Sequence, residues 1–138
     1  MPENRTKQVI IIRRDLKMRR GKEIAQGSHA SMAFLSRRVQ PHVRKPWLSF
    51  FSKKKGPVFS KAEIAWLTGS FAKVVLQVQT EQQLLELHQK AKEAGLESHL
   101  ITDSGRTEFH GEPTHTAVAI GPDIADKIDD VTGGLQLY

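Results

Sequence analysis

Val9, Ile10, Ile11 and Ile12 are four consecutive β-branched residues, set between Lys7-Gln8 and Arg13-Arg14. A strand sends successive side chains to opposite faces, so an uninterrupted apolar run has to be buried on both. One strand cannot supply that cover. A chain that begins with this run needs a sheet with layers on either side of it, and the remainder of the sequence must hold those layers.

The remainder reads accordingly. Residues 14 to 21 form a polar connection ending in Gly21, and from Lys22 to about Val39 a helical period dominates. "KAEIAWLTGS" predicts a short helix stopped by Gly69, and "AKVVLQV" a strand. "TEQQLLELHQKAKEAG" predicts a helix with Thr80 as N-cap, Gln83 at the capping-box position and Gly95 as the stop. "SHLIT" is a short strand before the turn "DSG", and "TAVAIGP" a strand ended by Gly121 and Pro122. "DIADKIDDVTG" predicts a helix capped by Asp123, and the tail "LQLY" docks or pairs. The order β-α-(α)-β-α-β-β-α predicts one α/β domain over residues 1–138, with three layers and a mixed four-stranded sheet.

Charge separates the two halves. Met1 to Glu63 carries 16 Lys/Arg against 4 Asp/Glu, whereas Ile64 to Tyr138 carries 5 against 11. This asymmetry is either the footprint of a polyanion such as a nucleic-acid backbone or a solvated basic face. Seven Lys/Arg lie between Arg37 and Lys55, interleaved with Trp47, Phe50 and Phe51 and interrupted by Pro41 and Pro46. That stretch reads as a long, partly helical excursion whose aromatics either stack bases or pin the loop to the body. With no cysteine in the chain, disulfides, cysteine nucleophiles and thiolate zinc sites are excluded. No apolar run approaches the length of a membrane span, and a cytoplasmic protein is expected.

"RRGKEIAQGSHASMAF", residues 19 to 34, begins like a phosphate loop but lacks its pattern. Leu16 stands five residues before Gly21, and Glu23 follows Lys22 where serine or threonine is required. On a helical wheel of about 100° per residue, Ile24, Ser28, Met32 and Leu35 share one stripe, opposite Lys22, Gln26, His29 and Ala33. Gly27, among so many small residues, suggests a steric reason for close helix packing. The histidines show no zinc-helix spacing; "HGEPTH" reads as a polar loop rather than a metal site. Sites in α/β domains gather at the carboxyl ends of strands, where "DSGRT" presents Asp103, Arg106 and Thr107. If the strands leading to Lys22 and Asp103 are parallel neighbours, the two side chains meet, as a site or as a structural salt bridge.

"VIIIRRDLKMRRGKEIAQGSHASM", "KVVLQV", "LITDSGRTEF", "PTHTAVAIGP" and "VTGGLQL" occur in that order over nearly the whole chain. Together they resemble the peptidyl-tRNA hydrolase 2 family of archaea, eukaryotes and some bacteria. The resemblance implies a three-layer α/β/α fold, commonly dimeric, that cleaves the ester between a stalled peptide and tRNA, with no metal or cofactor. It implies Lys22, Gln26, His29, Asp103 and Thr107 as the catalytic set and Thr116 as a residue lining the site, while Arg19, Arg20 and Arg106 are expected from their charge and position to bind the substrate. The family's loop is close to Gly-Lys-Gly-Lys, whereas this chain has Arg19-Arg20-Gly21-Lys22. The competing expectation is a non-catalytic RNA-binding or protein-interaction module on the same fold.

Overall fold

A computed structural model describes residues 5–45, 47 and 56–138. Its elements are β1 (Thr6–Arg13), α1 (Arg20–Arg44), α2 (Lys61–Thr68), β2 (Lys73–Val78), α3 (Glu81–Glu93), β3 (Ser98–Asp103), β4 (Thr114–Ile124) and α4 (Ala125–Thr132). The four strands form one sheet in the order β2-β1-β4-β3, with β1 parallel to β2 and antiparallel to β4, and β3 antiparallel to β4. The mixed sheet and the element order are those expected.

The run at Val9–Ile12 is buried on both faces, as its composition requires. Val9 and Ile11 join Val118 and Ile120 of β4 in a core with Leu84 and Ala91 of α3 and Ile128 and Val131 of α4. Ile10 and Ile12 turn the other way and meet Ala117 and Ala119 of β4 and Ala30 of α1. Alternation along two central strands thus defines two cores and three layers. The alanines of β4 are the sheet's half of a close helix–sheet approach. Gly27 is less demanding than expected: a Cβ there would sit 3.8 Å from Ile10 Cγ2 and 4.0 Å from Ile12 Cδ1, which is ordinary contact.

Three element ends differ from the sequence expectations. First, α1 does not stop near Val39 but runs through Pro41 to Arg44. A proline in the last turn forfeits one backbone bond, and Pro41 O still accepts from Lys45 N at 3.2 Å. Residues 46 and 48–55 of the expected excursion lie outside the described residues. Second, β4 does not end at Gly121-Pro122. The strand continues to Ile124, pairing Lys7 with Asp123, and Pro122 falls where the register shifts and no ladder N–H is needed. Third, Asp123 is therefore a strand residue and not the cap of α4, whose N-cap is Ile124.

Local capping chemistry accounts for the other helices. Ser60 and Glu63 close a reciprocal capping box at the start of α2. At α3, Thr80 accepts from Gln83 N, but the Gln83 side chain accepts from Gln79 N rather than completing the box. Arg38 of α1 makes a two-pronged pair with Glu63 and reaches Glu97, and Arg37 bonds His99 at 2.9 Å. These two cations, counted above toward a basic surface, thus serve as internal ties between α1, α2 and β3. The tail pairs, as expected: Gln77 N donates to Gln136 O and Tyr138 N to Val75 O, covering the free edge of β2.

Candidate active site

β1 and β3 are not neighbours. Both are antiparallel to β4, which lies between them, so they run in the same direction with their carboxyl ends at one end of the sheet. Two strand spacings separate them, roughly 10 Å. The first turn of α1 rises from the β1 side and Asp103 ends β3, so a long cationic side chain is what spans the gap. Lys22 Nζ donates to Asp103 Oδ1 at 2.7 Å and to Thr107 Oγ1 at 2.8 Å.

Two more contacts fix the carboxylate. Gln26 Nε2 donates to Asp103 Oδ1 at 3.2 Å, and Gly105 N donates to Oδ2 at 2.9 Å. The orientation of Gln26 is set from behind, since Thr116 Oγ1 donates to Gln26 Oε1 at 2.5 Å. Thr116 reaches that position because β4 breaks register opposite Thr102, which turns Thr116 to the α1 side that Ala117 and Ala119 also face. Thr116 is fully buried and Gln26 is 3% exposed. Thr116 therefore does not line the site directly; it acts on it through Gln26.

The buried face of α1 lies between the two stripes of the wheel and takes in Gln26 from one of them. Glu23, Gln26, Ala30 and Phe34 are buried, while Ile24 and Met32, on the stripe opposite Lys22, are 64% and 58% exposed. Lys22 sits on one flank of the buried line, towards β3. His29 lies further round the same flank, exposed, beside Ser36, Arg37 and Gln40. No hydrogen bond among the described residues joins it to Asp103, so the structure does not bring His29 into the group. Arg19 is 88% exposed, with Nε 3.6 Å from Glu108. Arg20 and Arg106 are also exposed, Arg106 on the loop that carries Thr107. Among the described residues no cluster of three or more His, Cys, Asp or Glu is arranged to hold a metal ion. His115 pairs with Glu81 instead.

The electrostatics favour an ionised carboxylate. The hydrogen bond from the Lys22 ammonium holds Asp103 below the ordinary range; burial opposes this, and the bonds from Gly105 N and Gln26 reinforce it. A depressed carboxyl contributes stability above its unfolded value, and that contribution is lost as pH falls through the folded value. The Asp103 carboxyl 13C resonance is accordingly expected to titrate below the value of an unstructured aspartate, and to move upward in Lys22→Met. A wild-type midpoint at or above that reference would contradict the pairing.

Three donors belong to a lysine ammonium. Two are taken by Asp103 and Thr107, which leaves one without a protein partner among the described residues. The Lys22 ammonium also lies 5.7 Å from the centre of the Phe109 ring. Asp103 Oδ2 accepts one bond and has a second lone pair free for water. The Thr107 hydroxyl accepts from Lys22, so its own proton is available to a ligand. Sequence reasoning passed over Gly105, Glu23 and Phe109; the first was visible only as the glycine of a turn.

A cation, a carboxylate and a hydroxyl are thus held together at the carboxyl end of an α/β/α sheet. The comparisons supply the class of protein. The family model described as "Peptidyl-tRNA hydrolase PTH2" matches residues 6–138. The peptidyl-tRNA hydrolase of Methanocaldococcus jannaschii is 41% identical over 95% of this chain and 98% of its own length. That of Methanothermobacter thermautotrophicus is 37% identical over 95% and 98%, and that of Aeropyrum pernix 38% identical over 96% and 95%. The chain belongs to the peptidyl-tRNA hydrolase PTH2 family.

Proposed function

We propose that this chain hydrolyses the ester between peptide and tRNA in peptidyl-tRNA, at the group formed by Lys22, Asp103 and Thr107. The observation that carries the reading is the Lys22 ammonium bonded at once to Asp103 and Thr107, in a member of this family. Ester hydrolysis needs an oriented water and a donor for the oxyanion that develops on the carbonyl. The remaining Lys22 N–H and the Thr107 hydroxyl supply donors. The free lone pair of Asp103 Oδ2 orients the water. A carboxylate held below its ordinary range is a weak proton acceptor, so Asp103 acts more by orientation and charge than as a strong base. Gln26 and Thr116 keep Asp103 in place, while exposed Arg19, Arg20 and Arg106 meet phosphates without reading bases.

The family likeness extends the reading to a homodimer acting in the cytoplasm on tRNA. No helix among the described residues is long and apolar enough to cross a membrane. The deciding experiment is release of peptide from an N-blocked aminoacyl-tRNA by the purified chain. Catalytic release supports the reading. Binding of the tRNA without release would overturn it in favour of a non-catalytic RNA-binding module.

A further inference from the structure

The first turn of α1 carries Lys22, yet it lacks the usual anchor of a helix start. Its N-cap residue is Arg19, whose side chain makes no capping bond. The neighbouring Glu23 is a buried carboxylate, and a buried charge has to be paired. Two groups from other parts of the fold pair with it. Arg14, at the end of β1, approaches Glu23 Oε1 at 3.2 Å, with its backbone N–H bonded to Val78 O at 2.9 Å. The Tyr138 hydroxyl donates to Glu23 Oε2, and Arg14 bonds that hydroxyl and lies 4.3 Å from the centre of the Tyr138 ring. Tyr138 is delivered there by the pairing of the tail with β2.

We propose that Glu23, gripped by Arg14 and Tyr138, is a positioning residue for hydrolysis: it fixes the first turn of α1 and so sets the Lys22 ammonium against Asp103 and Thr107. Lys22 and Glu23 are consecutive and point about 100° apart, one towards β3 and the other towards β1 and the tail. The turn is therefore held from both sides. With the Glu23 side released, the turn frays as uncapped helix starts do, and the Lys22 ammonium no longer has a fixed origin. The bond to Glu23 raises the Tyr138 phenol above its ordinary value, and burial adds to this, so the hydroxyl remains a donor. This inference rests on the reading of Lys22 as the cation of the active site.

The test is steady-state cleavage of peptidyl-tRNA by Lys22→Ala, Glu23→Ala, Glu23→Gln and Tyr138→Phe, with amide hydrogen exchange on each. Glu23→Ala is expected to lower kcat roughly 100-fold, and Tyr138→Phe roughly 3- to 10-fold, with KM within about twofold of wild type. Glu23→Gln, which keeps an acceptor for both partners, should recover most of the loss. Exchange should rise for the amides of the first turn of α1 and not for those of the sheet, a pattern that general destabilisation does not give. Should Glu23→Ala fail to fold, Tyr138→Phe decides alone, since it removes one oxygen from a half-exposed side chain. Wild-type kcat in Tyr138→Phe and in any Glu23→Ala that folds, alongside an inactive Lys22→Ala, would overturn the inference while leaving the active site intact. A rise in KM at constant kcat would also overturn it, by making the clamp a substrate contact. Activity in Lys22→Ala would instead remove the site on which the inference depends.

Discussion

Lys22→Ala and Asp103→Ala are each expected to yield folded protein that has lost on the order of 10²–10⁴-fold in turnover of peptidyl-tRNA. The physical reason is mutual dependence. Without Lys22, the Asp103 carboxylate keeps its bonds from Gln26 and Gly105 but loses the cation paired with it, and the developing oxyanion loses a charged donor. Without Asp103, the ammonium retains Thr107 but is no longer held in line. The paired side chains are 15% and 10% exposed, at the rim of the core rather than within it, so their loss should leave the two apolar cores standing. The double variant should be scarcely worse than either single one, because residues that act as a unit are not additive. Cleavage assays with circular dichroism as a check on folding would test this, and full activity in both single variants would refute the site.

Gly105→Ala should damage both fold and activity although Gly105 brings only a backbone N–H to the site. Gly105 has φ +81°, and a Cβ there would lie 2.1 Å from Glu112 O. The left-handed conformation alone costs alanine about 1–2 kcal/mol. The clash adds to this, and relieving it moves either the Glu112 backbone or the Gly105 backbone whose N–H holds Asp103 Oδ2. Gly111→Ala is the matched control, with φ +80° and open space where its Cβ would go. Gly111→Ala is expected to lower Tm by only a few degrees with near-normal turnover, and Gly105→Ala to lower Tm further and turnover at least about tenfold. Equal behaviour of the two would show that the Gly105 turn does not position Asp103.

Periodicity carried far where a single cause sets the structure. The Val9–Ile12 run required cover on both faces whatever its partners, and the amphipathic α3 with its Thr80 cap formed as read. It failed where a neighbour decided the outcome. Pairing with β1 carried β4 past Gly121-Pro122, and Pro41 lies late enough in α1 that the helix loses only one backbone bond there. The helical wheel grouped Lys22 with Gln26 and His29, but burial follows the sheet surface beneath α1. That surface took in Gln26, left Lys22 at its edge and turned His29 to solvent.

By itself the sequence determined the layer architecture, the order of elements and the charge asymmetry, because these follow from local pattern and composition, whereas the residues of the candidate site came from the family resemblance. It also placed Lys22 after one strand and Asp103 after another. Only the tertiary structure decided that β4 separates those strands and that a break in its register brings Thr116 behind Gln26. Likewise, only the fold joined Arg14, Glu23 and Tyr138 on the far side of the same helical turn. Strand order and register are set by which faces can be buried together across the whole chain, and no local window contains that information.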